Sequence, residues 1–160
     1  MAQVFYGARW IYKLGLALLT KNEERAAHVR AQIVDYASVC EGLLSFSIAH
    51  AIRRSHTVGT AYGFTDPDVQ AHPITWNPAS PEITLSKRNF WWLIRISREF
   101  GIVNPDLATD LHWLREERNS VHLRRFAAVG QRAFIHQSKH AFRIVTRTIS
   151  QTRTWKATHA

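Results

Sequence analysis

Apolar residues recur along this chain at the spacing of helices. In about residues 2–19, Phe5, Ala8, Tyr12, Leu16 and Leu19 make one stripe and Val4, Ile11, Leu14 and Leu18 a second, leaving Arg9 and Lys13 as a narrow polar edge. This pattern predicts a helix buried on most sides, in the core or between subunits. Asn22, followed by Glu23 and Glu24, reads as an N-cap with acids favourably placed against the helix dipole. From there to about residue 54, Val29, Ile33, Tyr36, Ala37, Cys40, Leu44, Ile48, Ala51 and Ile52 predict the longest helix of the chain.

The pattern then breaks. Across residues 55–83, Gly59, Gly63, Pro67, Pro73, Pro78 and Pro81 punctuate the chain, and Asp66-Pro67 and Asn77-Pro78 are turn signals, so the segment reads as a long loop or lid. Tyr62, Phe64 and Trp76 give it something to pack with. Helical spacing resumes from about Thr84 through Phe90, Trp91, Ile94, Ser97 and Arg98 and stops near Gly101. Asn104-Pro105-Asp106 is a helix start, with Asn104 as N-cap and Pro105 at the first helical position of a helix reaching about His122. Gly130 precedes a last helix over about residues 131–154. About five helices, no strand alternation, no internal repeat and no linker predict an all-α antiparallel helical bundle forming one domain over residues 1–160.

Composition narrows the possible partners. The chain has 21 Lys+Arg against 12 Asp+Glu, a net charge of +9, and the excess is localised. Every acid lies between Glu23 and Glu117, whereas residues 118–160 carry nine Lys/Arg and no Asp or Glu. An acid-free basic quarter makes a polyanion such as nucleic acid the leading partner class. The single cysteine, Cys40, excludes an intramolecular disulfide and a cysteine-based zinc site, and suits a reducing compartment such as the cytoplasm. The best apolar run, from Ile11 to Leu19, is broken by Lys13, so no membrane span is expected, and no secretory signal is recognisable.

The candidate chemistry lies on the helix over residues 104–122. At about 100° per residue, Leu107, Leu111, Leu114 and Val121 share one stripe with Arg118 at its centre, His122 one turn beyond and Arg115 one turn before, bordered by Asn119. A guanidinium cannot be neutralised, and burying it unpaired costs several kcal/mol. Two compensations fit the residues. One is a structural salt bridge from Arg118 to Glu41 or Asp35 of the long helix, with His122 a hydrogen-bonded core histidine. The other is a phosphate site, in which Arg118 or Arg115 grips a phosphodiester and His122 moves protons.

Leu114-Arg115-Glu116-Glu117-Arg118-Asn119-Ser120-Val121-His122, late in a small all-helical chain, resembles the signature of the HEPN superfamily. These helical-bundle proteins include many metal-independent endoribonucleases of prokaryotic toxin–antitoxin, abortive-infection and CRISPR-linked systems. The family pattern is an Arg, usually followed by a polar residue such as Asn, then a His about four to six residues on. Arg118-Asn119 matches the polar pair with three residues before His122, whereas Arg115 has six before it but is followed by Glu116. Either arginine can take the family role. The resemblance covers about residues 22–150 in architecture and is specific over residues 114–122.

The resemblance implies RNA cleavage by the substrate's own 2′-OH, without metal or cofactor, at a site shared across a homodimer, in a toxin or phage-defence protein that an antitoxin or other regulatory partner can restrain. Arg118 would stabilise the scissile phosphate, His122 would shuttle protons, Asn119 would position, and Arg115 would assist or anchor an adjacent phosphate. A basic stripe of Arg132, His136, Lys139, His140, Arg143 and Arg147, together with Arg124 and Arg125, is the candidate RNA track. His136 and His140, four apart, lack a neighbouring carboxylate or thiolate in sequence, and no metal site is expected. Trp91, Trp92 and Trp113 read as core or interface residues ahead of base-stacking platforms. A catalytically silent HEPN-like module binding RNA, nucleotide or protein fits the same residues, as does a plain dimeric scaffold.

Overall fold

The computed structural model describes residues 2–17, 22–54, 64–71, 75–77, 79–120 and 134–159. Among them the chain forms seven helices: α1 (Ala2–Ala17), α2 (Asn22–Arg53), α3 (Pro67–Gln70), α4 (Pro81–Leu85), α5 (Phe90–Glu99), α6 (Pro105–Ser120) and α7 (Phe134–Thr158). No strand element occurs among the described residues, and the architecture is an all-α bundle.

Helix α2 is its axis. Its 32 residues span about 48 Å, and α1, α4, α5, α6 and α7 all pack against it. All nine apolar positions predicted for its stripe are buried, and so are Val39, Ala49, Gln32 and Ser47, because neighbours cover more than one side. Polar atoms in this interior find partners: the Ser138 hydroxyl of α7 donates to Gln32 Oε1, and Thr148 Oγ1 donates to the Ile144 carbonyl (2.8 Å). Cys40 Sγ donates to the same Thr148 oxygen at 3.6 Å, and burial pushes its thiol up to about 12. A thiol reagent should therefore leave Cys40 unmodified in the native protein at neutral pH and titrate one thiol per chain in denaturant.

The five long helices fall where the periodicity places them, and the two short ones are additions. Of residues 84–101, expected as one helix, α5 takes 90–99, and residues 84 and 85 are the end of α4, which starts at Pro81 inside the expected loop. Ser86, Lys87 and Arg88 make the turn between them, and Asn89 caps α5, its Oδ1 accepting from the Trp92 amide at 2.9 Å. The described part of the expected loop is fastened down. Phe64 sits edge-on to Trp76 and Trp92, and Val69 is buried. Arg95 of α5 clasps both Asp66 oxygens (2.5 and 2.6 Å) and Asp68 (2.8 Å), while Glu99 accepts from the Thr65 amide at 2.7 Å. Tyr62 lies outside the described residues.

Helix α5 ends at Glu99, and Gly101 just beyond it has a φ of 69° that lets the Ile102 amide reach back to the Ser97 carbonyl at 2.8 Å. As expected, Asn104 caps α6, accepting from the Leu107 amide at 2.9 Å, with Pro105 first in the helix. Helix α7 runs four residues past its expected end, because buried Trp155 carries it on and donates to the Phe100 carbonyl at 3.2 Å. Helix α1 departs most from expectation. Ala8 is buried and Phe5 packs on Tyr36 and Phe142, yet Val4, Tyr6 and Trp10 are exposed within the chain.

Candidate functional site on α6

Leu107, Ala108, Leu111 and Leu114 are all buried, which fixes the face that α6 turns toward α2 and α5. Arg118, seven residues after Leu111, continues that face on the last turn, where α2 presents Glu41. Arg118 Nη1 donates to Glu41 Oε2 at 2.6 Å, with the two side chains 35% and 26% exposed. Of the two acids expected as possible partners, Glu41 takes the role; Asp35 makes no ion pair among the described residues, and burial pushes its carboxyl up. The pair stands at the edge of the core, and Arg118 makes no other hydrogen bond to a described residue. Asn119 beside it is exposed, and Ser120 Oγ donates to the Glu117 carbonyl at 2.7 Å. His122 lies outside the described residues, as do Arg124, Arg125 and Arg132.

Arg115 has different neighbours. It pairs with adjacent Glu116, and its buried Nε has no acceptor among the described residues. Burial first, and then the nearby charges of Arg115, Arg95 and Arg98 against that of Glu116, hold the imidazole of His112 below its ordinary value of 6.5. Arg115 thus sits with His112 toward the α5 arginines, while Arg118 faces α2. Folding favours neutral His112, so stability present above pH 6.5 is lost as pH falls through that value toward the lower folded one. A His112→Gln variant should show a flatter melting profile between about pH 7.5 and 5 than the parent; an unchanged slope would place the acid sensitivity elsewhere.

A carboxyl not among the residues expected from sequence stands next to the motif arginine. Burial pushes Glu117 up from its ordinary value, and Gln137 Nε2 of α7 donates to its Oε2 at 3.1 Å. Its position inside the Arg-Glu-Glu-Arg run was visible, but its partial burial depends on α7.

The basic stripe of α7 divides in space. Arg147 is ion-paired with Asp110 of α6, and His140 Nε2 lies 3.8 Å from the same carboxylate with its ring edge-on to Trp113. The acid-free run in sequence is therefore not acid-free in space. Lys139 and Arg143 are exposed on another side, where with Arg9, Tyr36, Ser138 and Phe142 they line a pocket of about 330 Å³. His136 is exposed. Trp92 is buried and Trp91 lies under the Arg95 guanidinium at 4.7 Å, while Trp113 packs against the core, all as core-type residues. Among the described residues no group of three or more His, Cys, Asp or Glu side chains gathers to hold a metal ion, and no helix is long and apolar enough to cross a membrane.

Comparison of the chain with protein-family models, with curated proteins and with solved structures finds no match.

Proposed function

We propose that this chain is a HEPN-like endoribonuclease that cleaves RNA by attack of the substrate's own 2′-OH. The observation that carries the reading is Arg118: a guanidinium oriented by Glu41 at the solvent edge of the core, followed by exposed Asn119 and leading toward His122. In such a site the 2′ oxygen bonds to phosphorus as the bond to the 5′ oxygen breaks. A base takes the 2′-hydroxyl proton and an acid protonates the departing 5′ oxygen. Arg118 stabilises the charge on the pentavalent phosphate, Asn119 positions it, and Arg115 anchors a neighbouring phosphate. The products carry 2′,3′-cyclic phosphate and 5′-OH ends, and no step calls for a metal or cofactor.

One His122 cannot stand on both sides of an in-line displacement. A two-fold homodimer supplies a second, so the reading includes a composite site. Arg124, Arg125, Arg132, Lys139, Arg143 and Arg147 belong to its RNA track, with Arg147 shared with Asp110. A toxin or phage-defence role in the cytoplasm, under an antitoxin or regulatory partner, is the setting that the HEPN resemblance implies.

The Arg118–Glu41 pair favours a second reading too, because it satisfies both charges within the fold. On that reading the chain is a catalytically inactive HEPN-like module binding RNA, nucleotide or protein. His122→Ala separates the two. The enzyme reading expects RNA cleavage in EDTA to fall by about 10²- to 10⁴-fold with melting temperature near that of the parent. Loss of the fold without a specific loss of cleavage would assign His122 to the core.

A further inference from the structure

Helices α1 and α7 both lean on α2, and their side chains meet over it. Phe142 of α7 stacks on Phe5 of α1 (centroids 6.0 Å apart, planes at 17°), and the Arg9 guanidinium lies 4.7 Å above the Phe142 ring. The cleft between them is the pocket of about 330 Å³ floored by Tyr36, with Arg9 on one wall and Lys139 and Arg143 on the other. Arg9 also lines a shallow hollow of about 630 Å³ that continues along α1 past Tyr6, Trp10 and Lys13. Tyr6 is 73% and Trp10 64% exposed. They lie one helical turn apart, about 6 Å along the axis.

No carboxylate among the described residues pairs with the charges of this surface. Neither α1 nor α7 contains an Asp or Glu. Arg53, Arg95, Arg115, Arg118 and Arg147 are matched to carboxylates, whereas Arg9, Lys13, Lys139 and Arg143 have none among the described residues. We propose that the α1/α7 cleft and the adjoining face of α1 bind single-stranded nucleic acid, with phosphates held by Arg9, Lys139 and Arg143 and bases stacked on Tyr6 and Trp10. Cations along the walls of a cleft, joined to exposed rings, match the way single strands are held without sequence readout. A second copy of the chain fits less well, since two-fold packing would bring together two copies of a face whose helices carry cations and no carboxylate. A flat anionic membrane would meet Trp10 and Lys13 but would not enter the cleft walled by Arg9, Lys139 and Arg143. The proposal is independent of cleavage, because a chain that never cuts RNA could still bind here.

The test uses the full chain and a labelled 12-nucleotide single-stranded DNA, which lacks the 2′-OH and stays intact even if RNA is cut. Anisotropy should report binding that weakens steeply with salt, and the oligonucleotide should quench tryptophan fluorescence. Trp10→Ala should lower affinity by about 5- to 150-fold, the loss of one stacked base. Arg9→Glu should lower it at least about tenfold and flatten the salt dependence. Both positions are outside the core, and circular dichroism checks that the variants fold. Parental affinity in both variants would overturn the proposal, as would an intact chain that binds no oligonucleotide. Binding instead to phosphatidylserine vesicles, with a Trp10 blue shift, would make the face a membrane surface. Dissociation of a dimer by Trp10→Ala with unchanged oligonucleotide binding would make it a subunit contact. Oligonucleotide binding with no RNA cleavage would count against the ribonuclease reading alone.

Discussion

Arg118→Ala should lower RNA cleavage in EDTA by about 10²- to 10³-fold, the effect of removing one preorganised charge from a phosphoryl transition state. Its effect on stability should be far smaller. The ion pair with Glu41 is about one-third exposed, so its net worth is about 1 kcal/mol or less. The melting temperature should then move by only a few degrees. Glu41→Gln should leave Arg118 in place with a weaker orienting bond, and the expected loss of cleavage is about tenfold. A double-mutant cycle distinguishes an active arginine from a structural one. If Arg118 acts only through the fold, Arg118→Ala and Glu41→Ala should be equally and non-additively destabilising, and any RNA cleavage should simply follow the folded fraction.

Leu111→Ala should strongly destabilise the packing of the motif helix. Leu111 is fully buried on the face of α6 that meets α2 and α5, between Leu107 and Leu114, which are equally enclosed. Removing its isobutyl group leaves a cavity among rigid helices and should cost about 3 kcal/mol. That corresponds to a fall in melting temperature of roughly 10 °C for a chain of this size. Urea unfolding should show a lower midpoint with an unchanged slope, since the surface exposed on unfolding is nearly the same. A loss below about 1 kcal/mol would mean that α6 is not seated on α2 as described, and would remove the basis for placing Arg118 opposite Glu41.

How much of this was legible in the sequence varies with the range of the interaction. The α2 stripe was readable because nine apolar positions keep helical register over more than six turns, and all nine are buried. The start of α6 was readable because Asn104 and Pro105 act on their own helix end. The Arg118–Glu41 pair was half readable. A guanidinium on an apolar stripe demands a partner, but only the packing of α6 on α2 chooses Glu41 over Asp35.

The rest depended on tertiary contacts. Ser86, Lys87 and Arg88 do not themselves break a helix, so the apolar rhythm ran across the α4–α5 turn. Arg147 met an acid because α6 carries Asp110 to it from 37 residues upstream. A helix apolar on nearly all sides cannot announce which side stays open. In α1 the neighbours cover Ala8 and part of Phe5 and leave Tyr6 and Trp10 outside. His122, Arg124, Arg125 and Arg132 lie outside the described residues, so the part of His122 in the site is a proposal carried by the motif, and that of the three arginines one carried by their charge.

The most direct test of the central claim is the chemistry of the cut. Purified protein in EDTA would be given a 5′-labelled RNA, its all-deoxy counterpart, and the RNA with a single 2′-deoxy nucleotide at the main cleavage position. Attack by the 2′-OH should give RNA fragments ending in 2′,3′-cyclic phosphate and 5′-OH, an untouched deoxy strand, and loss of the cut at the substituted position alone. RNA left intact by folded protein, fragments with 5′-phosphate ends, or cleavage of the deoxy strand would contradict it.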